Sequence, residues 1–160
     1  MGYYFTDAEI NNLVAEEKSH PVTLSEIMAF KQSDGHKRSS FEINRPDGSR
    51  FIIKLRQNQN NINDFSAIIG FQEKGNNTSF ILRRYNGKSH EHSNRIEGNK
   101  FYYFHIHIAT QRYQDDGRKE ESYAEESDQY TDLTSALRCL LAECNIKIKT
   151  NPQESLFNEF

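Results

Sequence analysis

The feature that most constrains the fold of this chain is a concentration of histidine between residues 80 and 110. Four of the six histidines lie there, as the pairs His90 and His92, and His105 and His107. The second pair falls within residues 101–109, an apolar segment that reads as an extended strand, in which residues two apart share one face. His105 and His107 therefore lie on one face, opposite an apolar one. The chain has to form a sheet that buries the apolar face and leaves the histidine face accessible.

Four earlier segments also alternate between apolar and polar residues and predict further strands. Their apolar positions lie within residues 41–43, 51–55, 65–71 and 80–85. The turn signal Pro46-Asp47-Gly48-Ser49 separates the first two, and Asn86-Gly87 follows the fourth. Short connections of this kind join antiparallel neighbours. The sequence therefore predicts a five-stranded, mostly antiparallel sheet.

Helical patterns flank these strands. Thr6 followed by Glu9 has the form of a capping box, and the apolar spacing behind it predicts a helix over residues 7–18. Asp132 is the expected N-cap of a last helix, because apolar residues recur at three- and four-residue intervals over residues 133–144. We expect both helices to pack on one face of the sheet, which gives an α+β fold.

Three segments carry weaker patterns. Residues 23–30 are expected to form a loop that packs Leu24 and Ile27, with a short helix as the alternative. Residues 112–130 are acidic and lack a sustained period, so we expect a long surface loop. The organisation that follows is a single α+β domain over residues 1–146 and a flexible C-terminal tail over residues 147–160.

Composition narrows the setting of the protein. The chain has no run of 18 apolar residues and no basic leader before an apolar stretch, so a cytoplasmic location without membrane association is expected. Cys139 and Cys144 are five apart on a predicted helix and are read as packing residues.

The net charge is −3, yet residues 31–110 contain thirteen Lys and Arg against seven Asp and Glu. This basic middle either complements the acidic remainder or forms a surface for an anion such as nucleic acid.

A histidine cluster beside cationic residues supports acid–base chemistry on RNA. One neutral imidazole accepts the 2′-hydroxyl proton while a protonated one donates to the leaving oxygen, and no cofactor is required. His105 and His107 are the predicted pair, with His92 or His90 assisting. The predicted substrate-binding residues, which are cationic or aromatic, are Arg83, Arg84, Tyr85, Lys88, Arg95 and Tyr103.

Two other interpretations use the same histidines. Neutral imidazoles are common zinc ligands, and all four histidines are candidates, with Glu91 as a base. The spacing does not match a helical H-E-x-x-H motif or a cysteine-containing zinc motif. In the remaining interpretation the histidines make hydrogen bonds within the sheet or lie exposed in a loop, and the patch binds a partner protein without catalysis.

Short motifs at residues 5–9, 82–85, 92–94, 105–107, 131–133 and 144–146 together resemble a family of small bacterial proteins of unknown function, often met in mobile or phage-derived DNA. Arg84-Tyr85-Asn86, then His90 or His92, then His105-Ile106-His107 resemble the centre of TumE-type toxins of toxin–antitoxin systems. That looser resemblance implies RNA cleavage. The chain departs from it in a longer N-terminal half and in Glu91 between the first two histidines.

Three hypotheses for function follow. The first is a toxin-like protein of a mobile element that binds or cleaves RNA without a metal. The second is a non-catalytic accessory or counter-defence protein that binds a host macromolecule through its basic face. The third is a zinc-binding protein. The expected partners are RNA and an antitoxin-like or host defence protein, and a homodimer remains open.

Overall fold

The computed structural model describes residues 2–150 of the chain, and these contain four helices and eleven strands. The helices are α1 (Asp7–Ala15), α2 (Leu24–Ile27), α3 (Gln111–Asp115) and α4 (Leu133–Glu143). The strands are β1 (Lys18–His20), β2 (Lys31–Ser33), β3 (His36–Asn44), β4 (Arg50–Asn58), β5 (Phe65–Gln72), β6 (Phe80–Asn86), β7 (His92–Ser93), β8 (Lys100–Phe101), β9 (His105–Ile108), β10 (Ala124–Glu126) and β11 (Ile146–Ile148). The fold is α+β, as the sequence predicts.

One sheet dominates the fold, with the strand order β10-β9-β6-β5-β4-β3-β2 and antiparallel pairing throughout. It has seven strands, so the predicted number of five is wrong. The two additional strands, β2 and β10, lie at its edges and have three residues each. Such short strands show no alternation that a sequence can reveal. Two smaller pairings complete the structure, β1 with β11 in parallel and β7 with β8 antiparallel.

The large sheet has one apolar and one polar face. Leu55, Ala67, Tyr85 and Ile106 lie opposite one another on β4, β5, β6 and β9 and are buried. We call this side the core face. The adjacent residue in each of these four strands lies on the other side of the sheet. These residues also lie opposite one another and are Lys54, Ile68, Arg84 and His107. This side is the polar face, and it includes the second histidine pair of the sequence.

Helices and strands share one hydrophobic core. Buried residues of α1, α2 and α4 belong to the same cluster as the strand residues, among them Ile10, Ile27 and Leu137. The stripe predicted for the last helix is confirmed, because Leu133, Ala136, Leu137, Leu140 and Leu141 are all buried. Among the described residues, no helix is both long enough and apolar enough to cross a bilayer.

The sequence predicts that α1 extends to Lys18, but the helix ends at Ala15. The Lys18 ammonium group is only 2% exposed and donates hydrogen bonds to the carbonyl oxygens of Val14, Glu16 and Cys144 at 3.0, 2.8 and 2.8 Å. Val14 lies in the last turn of α1 and Cys144 is the C-cap of α4, where backbone carbonyls lack a partner within the helix. Lys18 therefore ties the ends of two helices together.

Two predicted loops contain regular structure. Residues 24–27 form α2, because Thr23 and Glu26 make a complete capping box. The expected loop over residues 112–130 contains most of α3, which Thr110 caps, and the edge strand β10. A single turn of helix and a three-residue strand give too little periodic signal to detect in a polar segment.

Part of the segment that the sequence predicts as a flexible C-terminal tail forms a strand. Ile146–Ile148 forms β11 in register with Lys18–His20, and the Lys149 N–H donates to the Val22 carbonyl oxygen at 2.8 Å. The rest of the predicted tail, residues 151–160, lies outside the described residues. The sequence places Lys147 and Ile148 in the tail, but both residues belong to a parallel strand pair.

Gly87 connects β6 to the segment that carries the first histidine pair. Its N–H donates to the Phe65 carbonyl oxygen at 3.0 Å. A Cβ atom on this residue would lie 1.9 Å from the backbone oxygen of Asn63, which is too close for any side chain. Glycine is therefore required where the chain turns towards the histidine site.

We predict that Gly87→Ala destabilises the protein by about 2 kcal/mol or more, because the added methyl group overlaps fixed backbone. Chemical denaturation measures the change. Gly2→Ala is the matched control, since no atom lies within 4 Å of its added Cβ, and it should change stability by no more than about 0.5 kcal/mol. Equal stability of the two variants would contradict the close approach at Gly87.

Candidate functional site

The histidines of β9 lie on the polar face between two neighbouring strands. His107 lies opposite Arg84 of β6 and His105 lies opposite Asn86. On the other side, β10 places Ala124 opposite His107. Directly opposed residues of an antiparallel pair project to the same face. The alternation in the sequence therefore assigns this face correctly.

A third histidine reaches this face from the segment between β6 and β9. The segment folds back as the β7–β8 hairpin, in which His92 pairs with Phe101. The centre of the His92 ring lies 5.3 Å from that of His105 and 4.9 Å from that of His107, and the last two are 5.1 Å apart. One side-chain nitrogen from each of the three histidines lies within 4.8 Å of the others. We call these residues the three-histidine cluster.

Hydrogen bonds to backbone carbonyls fix the tautomers of the two β9 histidines. His105 Nδ1 lies 2.8 Å from the Tyr103 carbonyl oxygen, and His107 Nδ1 lies 2.7 Å from the Glu121 carbonyl oxygen. A carbonyl oxygen only accepts, so each Nδ1 carries the proton and donates it. The Nε2 atom of each neutral ring is left with a free lone pair.

Asn94 fixes the third ring. Its Oδ1 accepts from the Ala124 N–H at 2.9 Å and lies 2.7 Å from His92 Nε2. Its Nδ2 donates to the Ala124 carbonyl oxygen at 2.8 Å, so the amide binds both backbone groups of one residue in β10. Because Oδ1 is an acceptor, His92 Nε2 donates and Nδ1 keeps its lone pair. Asn94 thus fastens the hairpin to the sheet and orients His92.

Burial keeps the β9 histidines neutral. His105 is 1% exposed, and its Nε2 is a buried atom without a hydrogen-bond partner among the described residues. Burial lowers the pKa of His105 to about 4, and the charges of His92 and His90 act in the same direction. Burial also lowers the pKa of His107 to about 3, with a further contribution from His105. Both rings therefore present neutral imidazole near pH 7, which is the form that binds metals.

A cavity of about 540 Å³ opens against the cluster, with His92 and His107 in its wall. Its wall also contains four cationic side chains, which are Arg56, Arg84, Arg95 and Arg118. The wall thus has four cations against one carboxyl group, and an excess of one sign of charge concentrates ligands of the opposite sign. The cavity is therefore suited to an anionic group beside the three imidazoles.

Glu121 is the acidic residue of the cavity wall. Its side chain is buried, Oε1 lies 3.8 Å from Arg84 Nη2, and Oε2 has no hydrogen-bond partner among the described residues. Burial is the main cause of a raised pKa at Glu121, Glu120 raises it further, and Arg84 opposes the shift. The residue thus combines a backbone contact to His107 with a carboxyl group that can hold or release a proton at the cavity.

The other predicted site residues are divided between the cavity and its surroundings. His90 lies at the exposed edge of the cavity, with its ring 6.3 Å from that of His105, and its nitrogens are not part of the close cluster. Arg84 and Arg95, which are predicted to bind substrate, line the cavity. Lys88 Nζ lies over the rings of Tyr103 and Phe104, at 5.7 and 5.0 Å from their centres.

Arg83 and Tyr85 have to be removed from the predicted binding set. Both project to the core face, where the Tyr85 hydroxyl donates to Glu143 Oε1 at 2.5 Å and Arg83 Nη1 donates to the Tyr85 hydroxyl at 3.2 Å. Tyr85 is fully buried. The physical reason is strand alternation, which sends Arg84 to the polar face and its two neighbours to the opposite side.

Sequence reasoning missed several residues that build the site. These are Asn94, Glu121, Arg118 and Arg56, which lie up to 36 residues from the nearest cluster histidine in the chain and are brought together by the fold. The one available signal was local, since Asn94 stands two residues after His92. Glu91, the predicted base, is exposed, and Glu121 is the buried carboxyl group at the cavity.

Comparison with known proteins identifies one family. A family model described as a family of unknown function, DUF6978, matches residues 5–146. The expectation of a family of unknown function is thereby confirmed. The chain has no significant match among curated proteins and none among solved structures.

The lowered pKa values predict how the metal-free protein responds to acid. Between pH 6.5 and about 4 the unfolded chain protonates His105 and His107, whereas the folded protein keeps them neutral. Stability should therefore fall as the pH falls through this window, by up to about 1.4 kcal/mol per pH unit for each histidine. Denaturation in the presence of a chelator, at a series of pH values, measures the slope.

His107→Gln removes one of these groups. The slope of its stability against pH should therefore be smaller by up to one proton, which is about 1.4 kcal/mol per pH unit. The control is Gln32→Asn at an exposed position of β2, which removes no titratable group and should leave the slope of the wild type unchanged. Each slope is taken relative to the variant's own stability at pH 7, which removes any general loss of stability. Identical slopes for His107→Gln and the wild type would show that burial does not keep His107 neutral.

Proposed function

We propose that this chain, which belongs to the DUF6978 family of unknown function, is a metal-dependent hydrolase that holds zinc through His92, His105 and His107. One observation carries the proposal, namely that a nitrogen from each of the three rings lies within 4.8 Å of the other two. Three histidine ligands with an open fourth position are a known arrangement of catalytic zinc. The zinc alternative of the sequence is thus preferred to the metal-independent one.

The donor set fits zinc for three reasons. All three ligands are imidazoles, which suit zinc and other late first-row metals. Each ring donates a proton from one nitrogen to an oxygen, of Tyr103, Glu121 or Asn94, and metal-bound histidines ordinarily donate in this way from the nitrogen that does not bind the metal. The unpartnered Nε2 of His105 gains a partner when a metal binds.

The same geometry weakens the metal-independent mechanism. That mechanism needs one protonated histidine as the acid near neutral pH. The pKa of His105 is lowered to about 4 and that of His107 to about 3, so neither is a ready proton donor at pH 7. Two buried neutral rings beside a third imidazole match a metal better than an acid–base pair.

The reaction that fits the cavity is hydrolysis of a phosphoester. Zinc held by His92, His105 and His107 would supply a Lewis acid and would lower the pKa of coordinated water. Arg84 and Arg95 hold the anionic phosphate, and Glu121 takes up the proton of the attacking water and returns it to the leaving oxygen. The water oxygen adds to phosphorus as the ester P–O bond breaks, so the atoms balance without an oxidant or reductant.

Other features of the sequence-based hypotheses stay predictions. These are the toxin-like role, the origin in mobile DNA, the cytoplasmic location, and binding of an antitoxin-like or host defence protein. The non-catalytic accessory role is the main rival, and it differs from the hydrolase in requiring neither metal nor Glu121. Metal binding and turnover therefore distinguish the two.

Zinc binding is tested directly. Wild-type protein freed of metal by chelation should bind one Zn²⁺ per chain in calorimetry, and its unfolding free energy should rise by about 2.7 kcal/mol at a free zinc concentration one hundred times the Kd. Cobalt substitution should give the visible spectrum of a tetrahedral site. His92→Gln and His107→Gln should each lose these three responses.

Two controls accompany this experiment. His90→Gln and His36→Gln should bind zinc as the wild type does, because His90 lies at the edge of the cavity and His36 on β3 near Arg56. If wild-type protein binds no stoichiometric zinc, or if it binds zinc equally well after loss of His92 or His107, the metal centre is refuted.

Catalysis is tested with a chromogenic phosphodiester. Zinc-loaded wild-type protein should hydrolyse bis(p-nitrophenyl) phosphate, and chelation should abolish the activity. Glu121→Gln should bind zinc normally but lower kcat by about 10²-fold or more, as loss of a general base does. If turnover persists unchanged in Glu121→Gln, the assigned role of that carboxyl group is wrong.

A further inference from the structure

The polar face carries cations far beyond the histidine cavity. Going across the sheet from His107, the opposed residues are Arg84, Ile68, Lys54 and Ser40. Going across from His105, they are Asn86, Ser66, Arg56, Arg38 and Lys31. These two adjacent rows place five Lys and Arg residues on one side of the sheet, between β2 and β6.

A second cavity, of about 800 Å³, runs along these rows. Lys31, Arg38 and Lys54 line it, and it shares Arg56 and Arg84 with the cavity at the histidines. The two cavities therefore adjoin and form one groove across the polar face. With neighbouring strands about 4.8 Å apart, the groove spans about 24 Å from β2 to β9.

Part of this positive charge is not neutralised within the protein. Arg56 pairs with Asp64 at 2.8 Å and Arg84 lies 3.8 Å from Glu121. Three cations of the groove are exposed and form no salt bridge among residues 2–150. They are Lys31, Arg38 and Lys54.

Acidic residues near the groove do not cancel these three cations. Glu26 lines the second cavity, but its carboxylate accepts the hydrogen bonds of the α2 capping box. Glu42, on the same face of β3, pairs with Arg50 at 3.5 Å. The whole chain has a net charge of −3, so the positive groove is a local feature and not a general property of the surface.

We infer that this groove binds single-stranded nucleic acid and leads one of its phosphodiester bonds to the three-histidine cavity. Cations that recur from strand to strand match a chain of regularly spaced phosphates. Cleavage of the bound strand rests on the proposed hydrolase, whereas binding along the groove does not.

The shape of the groove favours a single strand over a duplex. The cavity at the histidines has about 540 Å³, which admits a nucleotide unit, and a flexible single strand can bend one unit into it more readily than a paired duplex can. A phosphodiester chain also supplies the ester bond that the hydrolase needs, which an acidic peptide lacks. Nucleic acid is therefore the polyanion that fits both parts of the groove.

The character of the lining predicts how the strand is recognised. Neither cavity has a Phe, Tyr or Trp side chain in its described lining, so base stacking contributes little. Binding through phosphates depends weakly on sequence and strongly on salt. We expect oligouridylate and oligodeoxythymidylate of about 12 nucleotides to bind similarly, a length within the range of single-strand binding sites.

The test is fluorescence anisotropy with these labelled oligonucleotides and metal-free protein, which cannot cleave them by the proposed mechanism. The variant is Arg38→Gln/Lys54→Gln, which removes two exposed cations of the groove. It should bind at least about tenfold more weakly, and the slope of log K against log salt should fall by about 1.4, from about 0.7 for each single-strand contact. The control Lys147→Gln/Lys149→Gln changes net charge equally at exposed residues of β11 and its end, and should bind as the wild type does.

Several results would overturn the inference. One is the absence of oligonucleotide binding by the wild type, and another is an equal loss of affinity in both double variants. A duplex hairpin or polyglutamate that binds as tightly as the single strands would refute the assignment of the occupant. Metal-free wild-type protein separates this inference from the proposed hydrolase, because it should bind oligonucleotide although chelation removes zinc and abolishes cleavage.

Discussion

The pairing of β6 with β9 is the constraint on which the rest of the structure depends. It sets Tyr85 opposite Ile106 on the core face and Arg84 opposite His107 on the polar face. A slip of one residue would exchange the two faces, burying the charged arginine and exposing the core residues. The register is also held from the side, because the Tyr130 hydroxyl lies 2.7 and 2.8 Å from the carbonyl oxygens of Asn86 and His105. The core and the site are thus specified by the same hydrogen-bonded pair of strands.

The edge strand β10 gives the site its second fixed point. Its residue Ala124 pairs with His107 through the sheet and binds the side-chain amide of Asn94 with both its N–H and its carbonyl group. The preceding residues supply the Glu121 carbonyl oxygen that orients His107. A polar, acidic segment therefore holds two of the three histidines, although it contributes little to the hydrophobic core. This explains why a region without sequence periodicity is ordered.

Alternation along a single strand was predictable from the sequence, and contacts between distant strands were not. The faces of β4, β5 and β6, the stripe of α4 and the shared face of His105 and His107 all follow from residue periods of two or 3.6. The same rule should have excluded Arg83 and Tyr85 from a site that contains Arg84, so that error lay in reading cationic residues as a cluster. The contact of Asn94 with Ala124 determines that His92, and not His90, joins the cluster. The position of Glu121 at the cavity is set by the segment that leads into β10. These contacts join residues 14 to 30 apart in the chain, which no local pattern encodes.

The energetics of His105 explain why the cluster is better understood as a site than as packing. Its Nε2 is buried without a partner among the described residues, and an unsatisfied buried polar atom costs about 1–3 kcal/mol. An apolar residue of similar size would avoid that cost on the same strand. Arg84 adds to this cost. Its charge contributes to the lowered pKa of His107 and so opposes protonation of the ring, which would otherwise attract a water or an anion as a partner. In the proposed metal site, an ion bound to the free lone pairs would remove that cost, and an anionic substrate would offset the charge that the ion adds beside Arg84. On this proposal the histidine cluster and the cationic groove act together, because the metal and the anion that they would bind carry opposite charges.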